Sequence, residues 1–144
     1  METTDELSGG SVDVNETFLT LVGGVSAVSL IVMLTVVGAL AVESVVYGAI
    51  AGVFAGVGSF MFLPWFMHLS ALQDASEEDV PFSELVDDVP RSMQLGVFGL
   101  GLELGGIVMI GIGMAQTSVN YAIGIGAALL VAVTVFLVAS VLLD

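Results

Sequence analysis

The sequence predicts an all-α, polytopic membrane protein: a four-helix transmembrane bundle made of two antiparallel hairpins. Three observations lead to this prediction. The 144 residues are 57% apolar with a mean hydropathy of +1.10, and only 11% are charged, whereas about a quarter of the residues in a soluble domain are charged. Four apolar stretches reach the roughly 20 residues that cross a bilayer as a helix. The connections between these stretches alternate short, long and short.

The four predicted spans are residues 18–42, 45–72, 93–114 and 119–143. Residues 43–44 and 116–118 leave room for tight turns only, so we expect the helices on either side of each turn to form an antiparallel hairpin. The spans use most of the chain, which leaves no length for a separate soluble domain. We therefore expect one transmembrane domain over residues 18–144.

Residues 1–17 are predicted to be a disordered acidic tail. They carry five acids and no basic residue, so they lack the basic segment of a signal peptide. The tail ends in Asn15-Glu16-Thr17, where Asn15 is a predicted N-cap of the first helix. The alternative is that the same tripeptide is an N-glycosylation acceptor.

The long connection, residues 73–92, holds seven acids. Phe82, Leu85 and Val86 have helical spacing, so a short amphipathic turn on the membrane surface is expected there. Pro90 suits the first turn of the third helix, where its missing N–H is not needed. The loop has no twelve-residue pattern of alternating ligands around a central glycine, so we interpret its acids as a solvated surface and not as a calcium site.

Charge and residue usage exclude several functions. One basic residue against fifteen acids gives a net charge of −14, which excludes nucleic-acid binding through phosphate neutralisation. The chain has no cysteine and one histidine, which argues against thiolate catalysis and zinc sites. No nucleophile–base pair is evident. We therefore expect no catalytic residue, no metal, no cofactor and no enzymatic activity.

The predicted orientation depends on a single basic residue. The tail, the long loop and the C-terminal Asp144 fall on one side of the four spans, together with Arg91. Positively charged residues favour the cytoplasmic side, and acids count little. The sequence therefore predicts a multi-pass protein of the cell membrane, with both termini in the cytoplasm and the lipid bilayer as its first partner.

Glycines at helical spacing predict close helix packing, because small residues let two backbones approach. One set follows a four-residue spacing in the second helix, and the other lies on one face of the third helix. The predicted packing positions are Gly48, Gly52, Gly56, Gly96, Gly99 and Gly106. The neighbour could belong to the same chain, to a second copy or to another membrane subunit.

Glu103 is the one ionisable residue near the middle of a predicted span, and intramembrane acids are usually functional. Counting from the helix ends places Ser29, Ser59 and Thr134 at the same depth. We expect Glu103 to face the bundle as a neutral carboxyl that bonds to these hydroxyls, or to line a step for protons or ions. The alternative is that the hydroxyls bond only to carbonyls one turn back in their own helices.

Several residues near the helix ends are predicted to anchor the chain at the membrane interface, where aromatic and basic side chains are enriched. Pro64 is expected to kink the second helix, and Glu43 is interpreted as a turn residue. The predicted anchors are Trp65, His68, Arg91, Tyr47 and Tyr121.

The acidic composition without lysine resembles that of proteins from extreme halophiles, where dense carboxylates keep a surface hydrated at high salt. In style the chain is similar to the small four-helix membrane proteins of halophilic archaea. This resemblance implies a habitat and no activity, and an acidic membrane protein of a mesophile is the alternative. For function we expect a non-catalytic accessory or structural membrane subunit. The alternative is a small conduit or transporter for protons, cations or a solute that uses Glu103.

Overall fold

The computed structural model describes residues 15–75 and 90–142, and all regular structure in these ranges is helical. The four helices are α1 (Glu16–Ala41), α2 (Val45–Ala75), α3 (Pro90–Ala115) and α4 (Tyr121–Leu142). All four are long and apolar enough to cross a membrane, and their ends lie within three residues of the ends of the predicted apolar helices. The predicted disordered tail before Asn15 and the amphipathic turn in the long loop lie outside the described residues.

Local sequence signals explain where the helices begin. The Asn15 side chain accepts hydrogen bonds from the backbone N–H groups of Thr17 and Phe18, at 3.1 and 3.3 Å, which confirms the predicted N-cap. Pro90 is the first residue of α3, as expected for a residue that needs no backbone donor. Asn120 caps α4 in the same way as Asn15 caps α1, through an Ile123 N–H bond of 3.2 Å.

The end of α1 needs an unusual backbone conformation. Glu43 lies in the left-handed region with φ 56°, which costs a residue with a Cβ about 1–2 kcal/mol. This conformation turns the chain so that the N–H groups of Val42 and Ser44 both bond to the carbonyl of Gly38, at 3.2 and 3.0 Å. Ser44 then caps α2, accepting a bond from the Tyr47 N–H at 3.2 Å. The direction of the chain thus reverses within three residues.

The helices pack in chain order, with α1 against α2, α2 against α3, and α3 against α4. Consecutive helices are antiparallel. In α1 and α2, for example, Gly48 lies against Leu34, and Gly56, further along α2, lies against Ala27, which comes earlier in α1. Contacts between α1 and α3 or between α2 and α4 are few, and in the described ranges α1 and α4 do not touch. The arrangement is therefore an open row, in which α1 and α4 form the two edges.

The buried core lies mainly between α2, α3 and α4. Its largest fully buried apolar side chains are those of Tyr47 and Met109, and small residues, Ala51, Ala55 and Ala128, surround them. Small side chains at the helix contacts bring the backbones together, as is usual where lipid removes the hydrophobic drive for helix association.

Candidate functional site

The contact between α1 and α2 is made backbone to backbone. A methyl group added at Gly48, Gly52 or Gly56 would lie 2.6–2.8 Å from a carbonyl oxygen of α1. The space beside these three glycines is therefore occupied by the backbone of α1, so the neighbouring helix belongs to the same chain. This close approach fixes how α1 and α2 are aligned along their axes. It therefore also fixes which polar residues of the two helices lie opposite each other.

The contact between α2 and α3 uses the second glycine set. Gly96, Gly99 and Gly106 all face α2: a methyl group at Gly99 would lie 2.7 Å from the carbonyl oxygen of Gly58, and one at Gly106 would lie 2.5 Å from that of Ala51. The two contacts together make α2 the central support, since it has a glycine contact on each side.

Glu103 lies at the margin of the α2–α3 contact. The atoms nearest to a methyl group added at Gly58 include the backbone nitrogen of Glu103 and the carbonyl oxygen of Gly99. The Glu103 side chain is half-buried, so it is neither enclosed between the helices nor fully exposed. Ser59 follows Gly58 in α2, and its side chain is completely buried.

Ser59 bonds to Ser26 across the α1–α2 contact, with the two Oγ atoms 2.8 Å apart. Ser29 was predicted to lie at this level from its depth along the helix alone. The better signal is helical phase: Gly23 faces α2, Ser26 is three residues further along, and Ser29 is six residues along, about 240° around the helix. Phase measured from the glycine face would have found Ser26.

The predicted ring of four polar residues does not assemble. Ser29 and Thr134 are exposed, and each donates to the carbonyl one turn back in its own helix, at 2.8 Å to Val25 and 2.7 Å to Leu130. This is the alternative given above for hydroxyls in membrane helices. What remains at this level is the hydrogen bond between buried Ser59 and half-buried Ser26 across the α1–α2 contact, and the Glu103 backbone against Gly58 in the α2–α3 contact.

Tyr47 is a second polar group inside the protein, and its predicted role as an interface anchor is wrong. Its side chain is fully buried, and its hydroxyl donates to the carbonyl of Met109 at 2.8 Å. Room for the ring comes from Gly113 and Gly124, where an added methyl group would collide with it. The phenol is therefore a link between α2, α3 and α4 and does not reach the surface.

The other predicted anchors differ from Tyr47. Tyr121 is 40% exposed, and its hydroxyl lies 3.1 Å from Ser44 Oγ. Trp65 and His68 are half-buried, and the Trp65 ring packs over Gly96. The side chain of Arg91 lies outside the described part of the structure.

The arrangement offers hydroxyls and one carboxyl at mid-level but little reactive chemistry. Within residues 15–75 and 90–142, no three His, Asp or Glu side chains are close enough together to hold a metal ion. Pro64 lies inside α2, which continues past it. No family model, curated protein or solved structure matches this chain.

Proposed function

We propose that this protein is a non-catalytic membrane subunit that crosses the bilayer four times and binds neighbouring protein through its edge helices. The observation that carries the proposal is the unequal burial of the helices. In the most apolar stretch of each helix, the buried share is 44% in α2 and 50% in α3, but only 17% in α1 and 11% in α4. The inner pair forms a fixed support, and the edge pair presents surface outward.

The edge helices also carry glycines that the chain itself does not use. A methyl group added at Gly24 of α1 or Gly126 of α4 would meet nothing within 4 Å. Every glycine of α2 has backbone or side-chain atoms against it, and in the inner pair only Gly111 of α3 is equally open. A small residue on a lipid-facing surface lets another helix approach closely. We therefore expect partner helices to contact this chain at Gly24 and Gly126.

Site-specific photocrosslinking in native membranes tests this proposal. A photoreactive residue at Val28 of α1 or Val133 of α4, both at least half exposed, should yield a discrete protein adduct. The matched control is Val53, which is 50% exposed on the inner helix α2. Adducts of the same yield and size from all three positions, or adducts to lipid alone, would contradict a partner at the edges.

For orientation, we propose that both termini and the long loop lie in the cytoplasm. Four antiparallel spans place the termini together, and Arg91 is the only Lys or Arg of the chain; positive charge favours the cytoplasmic side. Because the chain has no cysteine, Ser8→Cys, Ser83→Cys and Thr117→Cys give unambiguous labelling. A membrane-impermeant thiol reagent should label only Thr117→Cys in intact cells, and joint labelling of Ser8→Cys and Thr117→Cys would refute four spans.

A second candidate function is a conduit for protons or cations through Glu103. It is supported by one observation: half-buried Glu103 packs its backbone against Gly58, the residue before Ser59, whose hydroxyl is hydrogen-bonded to Ser26. Ion flux into liposomes should then fall strongly in Glu103→Gln and stay unchanged in Glu16→Gln, whose carboxyl is exposed at the start of α1. Equal flux through the wild type and Glu103→Gln would exclude this candidate.

A further inference from the structure

The Glu103 carboxyl, in the middle of α3, is accessible from outside the protein. Within residues 15–75 and 90–142 it makes no hydrogen bond or ion pair, whereas the hydroxyl of Ser59 is bonded to Ser26 at 2.8 Å. Every fully buried side-chain oxygen or nitrogen in these ranges has a partner, so the unbonded oxygens of half-buried Glu103 reach the surface. A group of another molecule can therefore bond to them.

No basic residue of this chain lies at the level of Glu103. The sequence has one Lys or Arg, which is Arg91, and one histidine, which is His68. Arg91 comes twelve residues before Glu103 in α3, about 18 Å along the helix axis at 1.5 Å per residue. His68 comes ten residues after Gly58, which packs against Glu103, so His68 lies about 15 Å from that level along α2. The chain therefore supplies no counter-ion for a carboxylate at this depth.

Two further residues of α3 lie on the same outward side as Glu103. Ile107 and Gly111 follow it at spacings of four and eight residues, which places the three positions along one stripe of the helix. Ile107 is 49% exposed, and a methyl group added at Gly111 would meet nothing within 4 Å. We call these three residues the Glu103 face. Because Gly111 has no side chain, a neighbouring helix can approach α3 closely there.

We propose that the Glu103 face binds one transmembrane helix of a different protein, which carries a lysine or arginine at the level of Glu103. An ionisable side chain inside a bilayer is costly and is usually paired with another polar group. The basic side chain of the partner donates hydrogen bonds to the Glu103 carboxyl, and in a medium of low dielectric constant such a charge-assisted bond is stronger than in water. The close approach at Gly111 brings the two helices within reach of this contact.

The residues of this chain favour a different protein over lipid or a second copy. Lipid tails have no hydrogen-bond donor for a carboxyl group. A second copy packed in parallel would place its own Glu103 opposite this one, and its Arg91 would stay about 18 Å from that level at 1.5 Å per residue. The inference rests on the proposed function, since it requires α3 to cross the bilayer, and it adds a surface on an inner helix to those on the edge helices.

Binding of synthetic transmembrane peptides tests this inference without the native partner. Two leucine-rich helical peptides that differ only at the central residue, lysine or leucine, carry an acceptor fluorophore. Purified protein in phosphatidylcholine vesicles carries the donor at Thr117→Cys, an exposed turn position in a chain without cysteine. We expect energy transfer to show at least tenfold higher affinity for the lysine peptide. Glu103→Gln should remove this difference, whereas Glu16→Gln, whose carboxyl is exposed at the start of α1, should keep it.

A second pair of variants tests the close approach at Gly111. Gly111→Leu should weaken binding of the lysine peptide at least tenfold, and Gly126→Leu on α4 should leave it unchanged. An added methyl group meets nothing within 4 Å at either position, so both variants are expected to fold alike. The photocrosslinks at Val28 and Val133 test the edge helices without the Glu103 face, so failure of one proposal does not imply failure of the other.

Three results would each overturn the inference: equal affinity of the two peptides for the wild type, a lysine preference that survives in Glu103→Gln, and unchanged binding in Gly111→Leu. A peptide with a central glutamate that binds more tightly than the lysine peptide would overturn it as well. That result would indicate pairing of two carboxyl groups, as between two copies of this chain.

Discussion

Replacing Gly52 with alanine tests the packing of α1 on α2 most directly. The added methyl group would lie 2.8 Å from the carbonyl oxygen and 2.9 Å from the Cα of Ile31. Both are backbone atoms, so no side-chain rotation relieves the contact, and α1 must retreat by about 0.6 Å to restore an ordinary 3.4 Å separation. Overpacking of this kind costs about 1–3 kcal/mol, and the helix preference of alanine over glycine, about 1 kcal/mol, offsets part of it.

Gly126→Ala is the matched control, because a methyl group there would meet nothing within 4 Å and only the gain in helix preference remains. The difference in free energy of unfolding between the two variants therefore isolates the contact, at about 1–3 kcal/mol. This corresponds to a change of roughly fivefold to over a hundredfold in the unfolding equilibrium constant. Reversible unfolding in mixed micelles, followed by circular dichroism, measures it. If Gly52→Ala is as stable as Gly126→Ala, the helices do not meet as described.

The same unfolding assay checks three further predictions. Ser59→Ala removes the hydrogen bond from a buried hydroxyl to Ser26 of α1 and should cost about 0.6 kcal/mol. An equal loss in Ser29→Ala, whose hydroxyl is exposed and bonds within its own helix, would contradict that assignment. Tyr47→Phe removes the buried hydrogen bond from the Tyr47 hydroxyl to the Met109 carbonyl and should cost about 1 kcal/mol, more than Tyr121→Phe, whose hydroxyl bonds at the surface. Glu43→Gly should raise stability by about 1 kcal/mol, because glycine adopts the left-handed conformation without a Cβ penalty; destabilisation would show that the Glu43 side chain contributes more than its backbone strain costs.

The helices were predictable from the sequence because their signals are local. Span length follows from uninterrupted apolar runs, and the start of α1 follows from Asn15, whose side chain satisfies two backbone donors. Glycine spacing also located the close contacts correctly on α2. It gave no information on which helix would fill each contact, because a glycine face favours any close neighbour equally.

The predicted position of a side chain was wrong where its burial depends on how two or three helices pack together. A tyrosine just after a turn usually lies at the membrane surface, yet Tyr47 is enclosed because Gly113 and Gly124 on two other helices leave space for its ring. Ser29 was chosen over Ser26 because depth was counted without helical phase.

The packing of each helix against the one before it in the chain has a consequence for biosynthesis. When α2, α3 or α4 is synthesised, its main partner has already been made, because the principal contacts join consecutive helices. No late step has to bring α4 back to α1, so assembly can keep pace with a ribosome that adds about 5–20 residues per second.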